Sequence, residues 1–209
     1  MEKQLTISRG KLLLVGAVVL AAIPARAAPP KKELVDDLRH GGYVLLMRHA
    51  SSPANPPDKS EADPENVAGE RQLDDHGRTT ARAMGVAFKV LKIPIGQVYS
   101  SPTYRARQTV ELAGFGKPLL ADELGDQGHS MMRIASEDPA AWLRKKVAEM
   151  PSTGRNTILV THLPNITAAF SQPASGLQDG ETLVFKPDGR GHADLVGKVE
   201  IDEWQHGVP

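Results

Sequence analysis

The feature that most constrains this chain is the run Tyr43-Val44-Leu45-Leu46-Met47-Arg48-His49-Ala50. Its apolar residues are continuous rather than alternating, so it reads as a strand buried on both faces, the kind found at the centre of a parallel sheet. Ala50 and the Ser/Pro-rich residues after it end the strand. Arg48 and His49 then stand at the carboxyl end of a buried strand, where open α/β sheets place their ligands. A fixed cation beside an imidazole points to anion chemistry, with phosphate the first candidate.

The rest of the chain has to supply partners, and composition narrows what they can be. A length of 209 residues suits one domain. The formal net charge is zero, so no basic field argues for nucleic acid. Cysteine is absent, which excludes a disulfide framework, a thiolate metal site and a Cys nucleophile. No pair of histidines has the His-Glu-x-x-His spacing of a zinc site. Neither a metal nor a cofactor is expected.

The amino terminus reads as a targeting segment. Lys3, Arg9 and Lys11 precede the apolar run Leu12 to Ile23, which at about a dozen residues has the length of a signal-peptide core and is too short to span a bilayer. Pro24 breaks the run, and Ala25-Arg26-Ala27 has the small-x-small pattern of a cleavage site. The expected organisation is a signal peptide over 1–27 and one domain over 28–209. The mature protein is then periplasmic or secreted, with no stable membrane insertion.

The domain alternates helical and extended patterns. Lys31 to His40 has Leu34, Val35 and Leu38 at helical spacing, and Gly41-Gly42 is a helix stop. The opening strand follows. Ser51 to Glu70 is rich in Pro, Asp, Asn and Ser without an apolar period; such a loop is expected to form a rim or lid over the site. Asp74 or Asp75 caps a helix over His76 to Lys92, with Ala81, Met84, Ala87, Phe88 and Leu91 on one face. Ile93 to Gly96 reads as a turn and Gln97 to Ser100 as a short strand. Ser101-Pro102 is expected to open a helix that ends near Gly114. Lys117 to Leu120 is a short strand, 122–136 an irregular stretch, and Asp138 to Met150 a helix. Asn156 to Thr161 is the second clearly buried strand, followed by a short helix or turn over Leu163 to Phe170. Glu181–Lys186 and His192–Ile201 read as a hairpin. The fold class is α/β: a mostly parallel central sheet with helices on both faces.

Four strand ends in this scheme offer Arg48-His49, His162, Arg105 and the pair Asp122-Glu123. If those strands are parallel neighbours, the groups converge on one edge of the sheet. The set suits phosphoryl transfer, which asks for positioning and for neutralisation of three equatorial oxygens. Arginine can grip two oxygens at once. A neutral imidazole can attack phosphorus and form a phosphohistidine, splitting a hard step into two. A carboxylic acid must protonate the leaving oxygen. His40, His76, His129, His192 and His206 have no such partners and are read as structural or surface residues.

Four blocks carry a resemblance to a known family. Leu46-Met47-Arg48-His49-Ala50 is similar to the Arg-His-Gly/Ala signature of the histidine phosphatase superfamily. Arg71-Gln72-Leu73-Asp74-Asp75-His76-Gly77 resembles its Arg-x-Leu-Ser/Thr-x-x-Gly segment. Ser100 to Thr109 resembles its Ser-Ser-x-x-x-Arg-Ala-x-Gln-Thr block, and Val160-Thr161-His162 its second histidine strand. The likeness is to the phosphoglycerate mutase-like members, and within them to a small exported branch with Arg-His-Ala. It implies a Rossmann-like three-layer α/β sandwich and no metal. It implies His49 as nucleophile and Arg48, Arg105 and His162 as the phosphate pocket. The acid of the family follows the third strand; Glu123 is the first choice and Asp122 the alternative.

The function expected from these readings is an exported phosphomonoesterase working through a phosphohistidine on His49. Its partner would be a small phosphorylated substrate, with a phosphorylated envelope sugar suggested by compartment and family. The competing readings are a phosphohistidine-protein phosphatase or mutase of the same family, and a phosphate- or phosphosugar-binding module without turnover. Nothing in the sequence speaks to oligomeric state.

Overall fold

The computed structural model describes residues 31–53, 69–126 and 135–205. The expected signal peptide and most of the expected rim loop lie outside them. The described elements run in the order α1 (Lys31–His40), β1 (Val44–Arg48), α2 (Asp75–Val90), β2 (Ile95–Ser100), α3 (Tyr104–Ala113), β3 (Leu119–Leu120), α4 (Pro139–Val147), β4 (Asn156–Thr161), α5 (Leu163–Ala169), β5 (Thr182–Pro187) and β6 (Ala193–Val199). Short 3-10 turns stand at Asp122–Leu124 and Ile201–Trp204. Among the described residues, no helix is long and apolar enough to cross a membrane.

The strands form one six-stranded sheet in the order β3-β2-β4-β1-β5-β6. β1, β4, β2 and β3 run parallel, whereas β5 is antiparallel to both β1 and β6. β1 is central, as its unbroken apolar run requires. Leu45 and Met47 enter a core built with α1, α2 and α3, which contribute Leu38, Phe88 and Val110. Val44 and Leu46 enter a second core with Leu143 of α4 and Ile166 of α5. The two faces of one strand therefore anchor two helical layers. Each fully buried aliphatic side chain contributes roughly 1.5–3 kcal/mol.

Local chemistry explains where several elements begin and end. Gly41 turns the chain out of α1 at φ +74, a conformation that costs glycine little. Asp74 caps α2, its Oδ1 accepting from Gly77 N at 2.7 Å. Asp138 caps α4 through Ala141 N at 2.9 Å. Two expectations need correction. Ile95 pairs with Asn156, so β2 takes in residues read as a turn. The helix expected from Ser101-Pro102 begins only at Tyr104. Ser101 Oγ accepts from Thr103 N at 3.2 Å and lies 3.1 Å from Thr103 Oγ1, a local turn that competes with helix and turns these two side chains to another task.

Candidate active site

The register of β1 against β4 sets Arg48 opposite Thr161, so the next residues on these adjacent strands are His49 and His162. Both are buried, and their rings meet edge-on at a centroid distance of 5.2 Å. His49 is anchored through its backbone, with N donating to Thr161 O at 3.0 Å and O accepting from Gly180 N at 2.9 Å. Its Nδ1 lies 2.8 Å from Ala50 O. A carbonyl oxygen only accepts, so Nδ1 carries the hydrogen and Nε2 keeps its lone pair. That is the state an attacking imidazole requires.

His162 adopts the complementary arrangement. Its Nδ1 lies 3.3 Å from the Arg105 Nη2 donor, and its Nε2 lies 2.9 Å from Ser101 Oγ and 3.2 Å from Thr103 Oγ1. A guanidinium only donates, so Nδ1 accepts and Nε2–H points to the hydroxyls. Both imidazoles are held neutral. Burial, then the Arg105 charge, and to a smaller extent Arg71 and Arg48, lower the His49 pKa to about 3 against the opposing effect of Ala50 O. Burial and the charges of Arg105, His49, Arg71 and Arg48 push His162 well below its ordinary value.

Arg105 sits in the first turn of α3 and is almost wholly buried. Its Nη2 also donates to Asp126 Oδ2 at 2.8 Å. Arg48, at the end of β1, donates through Nη1 to Leu177 O at 3.0 Å and pairs through Nη2 with Asp179 Oδ1 at 2.7 Å. The third block thus works as a unit. Arg105 enters the pocket, Gln108 Oε1 accepts from Leu73 N at 2.9 Å, and Thr109 Oγ1 accepts from Ala50 N at 3.1 Å. α3 thereby ties the Arg71–Gly77 block to the strand tip that carries His49.

The 122–124 turn is moored beside His162, since Thr161 Oγ1 donates to Leu124 O at 2.7 Å and Asn165 Nδ2 to Glu123 O at 3.3 Å. Glu123 Oε1 accepts from Ser136 Oγ at 2.7 Å. Burial alone would raise its pKa, but the Ser136 hydroxyl and the backbone amides of Glu123, Ser136 and Glu137 outweigh it, and the net shift is downward. Asp122 is partly exposed on the same turn. The structure thus brings Arg48, His49, Arg105 and His162 together and sets the expected acids beside them. It also adds Arg71, Ser101, Thr103, Asp126 and Asp179, which had been assigned no role. Arg71 and Ser101 lie inside the quoted blocks; Asp126 and Asp179 belong to turns without a readable pattern.

Residues 44–126, which hold three of the four blocks, match the profile of the histidine phosphatase superfamily (branch 1). That match runs from β1 to the turn that carries Glu123 and Asp126. No curated protein matches it at a significant level. Solved structures share the fold. The protein histidine phosphatase SixA complexed with tungstate is similar at 21% identity and a TM-score of 0.53, over 77% of this chain and 98% of that one. A mutant phosphoserine phosphatase from Entamoeba histolytica in complex with phosphoserine is similar at 15% identity and a TM-score of 0.50, over 76% and 97%. At such identities the likeness is one of fold, and it agrees with the mostly parallel α/β sandwich expected from the sequence.

Proposed function

We propose that this protein is a histidine phosphatase superfamily member, a phosphomonoesterase that works through a phosphohistidine on His49. The observation that carries this is His49 itself: buried, neutral, its Nδ1–H on Ala50 O and its Nε2 lone pair free, beside two arginines and a second imidazole. In the first step Nε2 forms a bond to phosphorus, the P–O bond to the leaving group breaks, and the leaving oxygen takes a proton from Glu123, or alternatively Asp122. Arg48 and Arg105 hold the equatorial oxygens, and His162 joins them by turning its Nε2–H from the Ser101 and Thr103 hydroxyls to a phosphate oxygen. In the second step water attacks phosphorus, the N–P bond breaks, and the carboxylate takes the water proton.

Export belongs to the same proposal and rests on the basic residues, the apolar run and Ala25-Arg26-Ala27 at the amino terminus. A phosphorylated envelope sugar is the substrate class that this compartment favours. A second reading, a phosphohistidine-protein phosphatase, is supported by one observation. The Glu123 carboxyl is shifted away from the range of a good acid, which matters least when the leaving group is an imidazole.

The test is phosphate release from an aryl phosphate, an alkyl phosphate and a phosphohistidine peptide. Wild type is expected to hydrolyse at least the aryl ester, and His49→Ala to lose about three orders of magnitude or more. Full activity of a clean His49→Ala preparation would sink the proposal. Turnover of the phosphohistidine peptide but not the alkyl ester would select the second reading.

A further inference from the structure

Arg48 and Arg105 are each held at one end by a carboxylate from a neighbouring turn. Asp126 Oδ2 lies 2.8 Å from Arg105 Nη2, in a pair whose side chains are 9% and 3% exposed. Asp179 Oδ1 lies 2.7 Å from Arg48 Nη2, and Leu177 O accepts from Nη1 of the same guanidinium. The remaining donors are Arg48 Nε and Arg105 Nε and Nη1, which are buried without a hydrogen-bond partner among the described residues. A buried donor left unsatisfied costs on the order of 1–3 kcal/mol, more when charged, so a pocket with three of them is suited to an acceptor-rich anion.

An arginine stem has many rotamers, and one fixed nitrogen sets the direction of the others. The Arg105–Asp126 contact is the more buried of the two pairs. The nitrogen it engages is also the one that approaches His162 Nδ1 at 3.3 Å. We infer that Asp126 is a positioning residue of the pocket. It holds Arg105 by Nη2 against His162, and so keeps Nε and Nη1 directed at the oxygens of a bound phosphate. The inference rests on the phosphate reading of the site.

The opposite role has the opposite sign. A carboxylate that merely occupied the place of a phosphate oxygen would compete with phosphate, and its removal would tighten binding. A positioning carboxylate makes binding weaker when removed. The readouts are phosphate and tungstate affinity by calorimetry, kcat and KM on an aryl phosphate, and melting temperature. Asp126→Ala is expected to bind both anions at least about tenfold more weakly and to lose kcat as well as kcat/KM. Asp126→Asn, whose amide oxygen still accepts from Nη2, is expected to recover part of both. Equal or tighter binding by Asp126→Ala overturns the inference. If that variant does not fold, tighter binding by Asp126→Asn overturns it, and modest weakening supports it. A wild-type protein that binds neither anion overturns the phosphate reading and this inference together; a wild type that binds while Asp126→Ala binds equally well overturns this inference alone.

Discussion

His49 and His162 face each other edge-on at 5.2 Å on the tips of adjacent parallel strands, and both are neutral in the fold. This neutrality has a thermodynamic consequence. In the unfolded chain each imidazole takes up a proton as pH falls through about 6.5, whereas in the folded protein His49 does so only at about 3. Below about 6.5 the unfolded state therefore binds more protons, and stability declines with falling pH. The slope contributed by each histidine approaches ~1.4 kcal/mol per pH unit. Urea unfolding between pH 7.5 and 4.5 should show this decline, with a shallower slope in His49→Gln. Stability that stays level across that range would contradict the neutral pair.

The same pair links anion binding to protons. A dianion bound beside the two rings favours the charged form of His162, which burial and the arginines disfavour in the free pocket. Tungstate binding near pH 6.5 should therefore take up protons. Calorimetry in buffers of different ionisation enthalpy measures this directly, and the observed binding heat should change from buffer to buffer. Identical heats in all buffers would mean that His162 stays neutral in the complex.

These two histidines were legible in the sequence because of where they stand. β1 and β4 are unbroken apolar runs, such runs occupy the middle of a parallel sheet, and the ends of neighbouring parallel strands meet. What was not legible lies in turns. Asp126 and Asp179 carry no period, and only the folded chain shows that each faces an arginine. Ser101-Pro102 was read as the start of a helix because Pro102 suits that position; the Ser101 and Thr103 hydroxyls instead reach His162. Glu70 ends a polar loop that has no readable period, yet it is buried.

Glu70 supports the third block from outside it. Thr103 makes no capping bond at the start of α3, and Glu70 Oε2 accepts from Tyr104 N instead. Its other oxygen lies 3.7 Å from Arg107 Nη2. Burial raises the Glu70 pKa, and the Tyr104 amide, Arg107 and Arg105 only partly offset this. Glu70→Ala removes the cap, at a cost of about 1 kcal/mol, and loosens the turn that carries Arg105. The expected result is a lower melting temperature together with weaker phosphate binding. Glu70→Gln keeps an acceptor for Tyr104 N and should restore most of the binding. A Glu70→Ala variant with unchanged phosphate affinity would separate the cap from the pocket.

Gly77 and Gly85 look like flaws in α2 by helix propensity, where Ala is better than Gly by about 1 kcal/mol. Their surroundings reverse that expectation. A Cβ at Gly85 would overlap the Ala113 carbonyl at the end of α3, and one at Gly77 would overlap the Ser51 carbonyl just after the strand tip. Backbone cannot move aside as a flexible side chain can, so the clash outweighs the propensity gain. Gly85→Ala should destabilise the protein by roughly 1–3 kcal/mol, the usual cost of overpacking. Its aryl phosphate turnover should stay near wild type at temperatures where the variant is folded, because Gly85 lies on the α2–α3 contact rather than at the pocket. Gly77→Ala should act differently. It displaces Ser51, whose Oγ donates to the α2 cap Asp74 at 2.7 Å, and so disturbs the segment that follows His49. Its kcat should fall by more than its melting temperature accounts for. Chemical denaturation and steady-state kinetics on both variants distinguish the two sites. A Gly85→Ala protein as stable as wild type would show that the helices separate more easily than this packing implies.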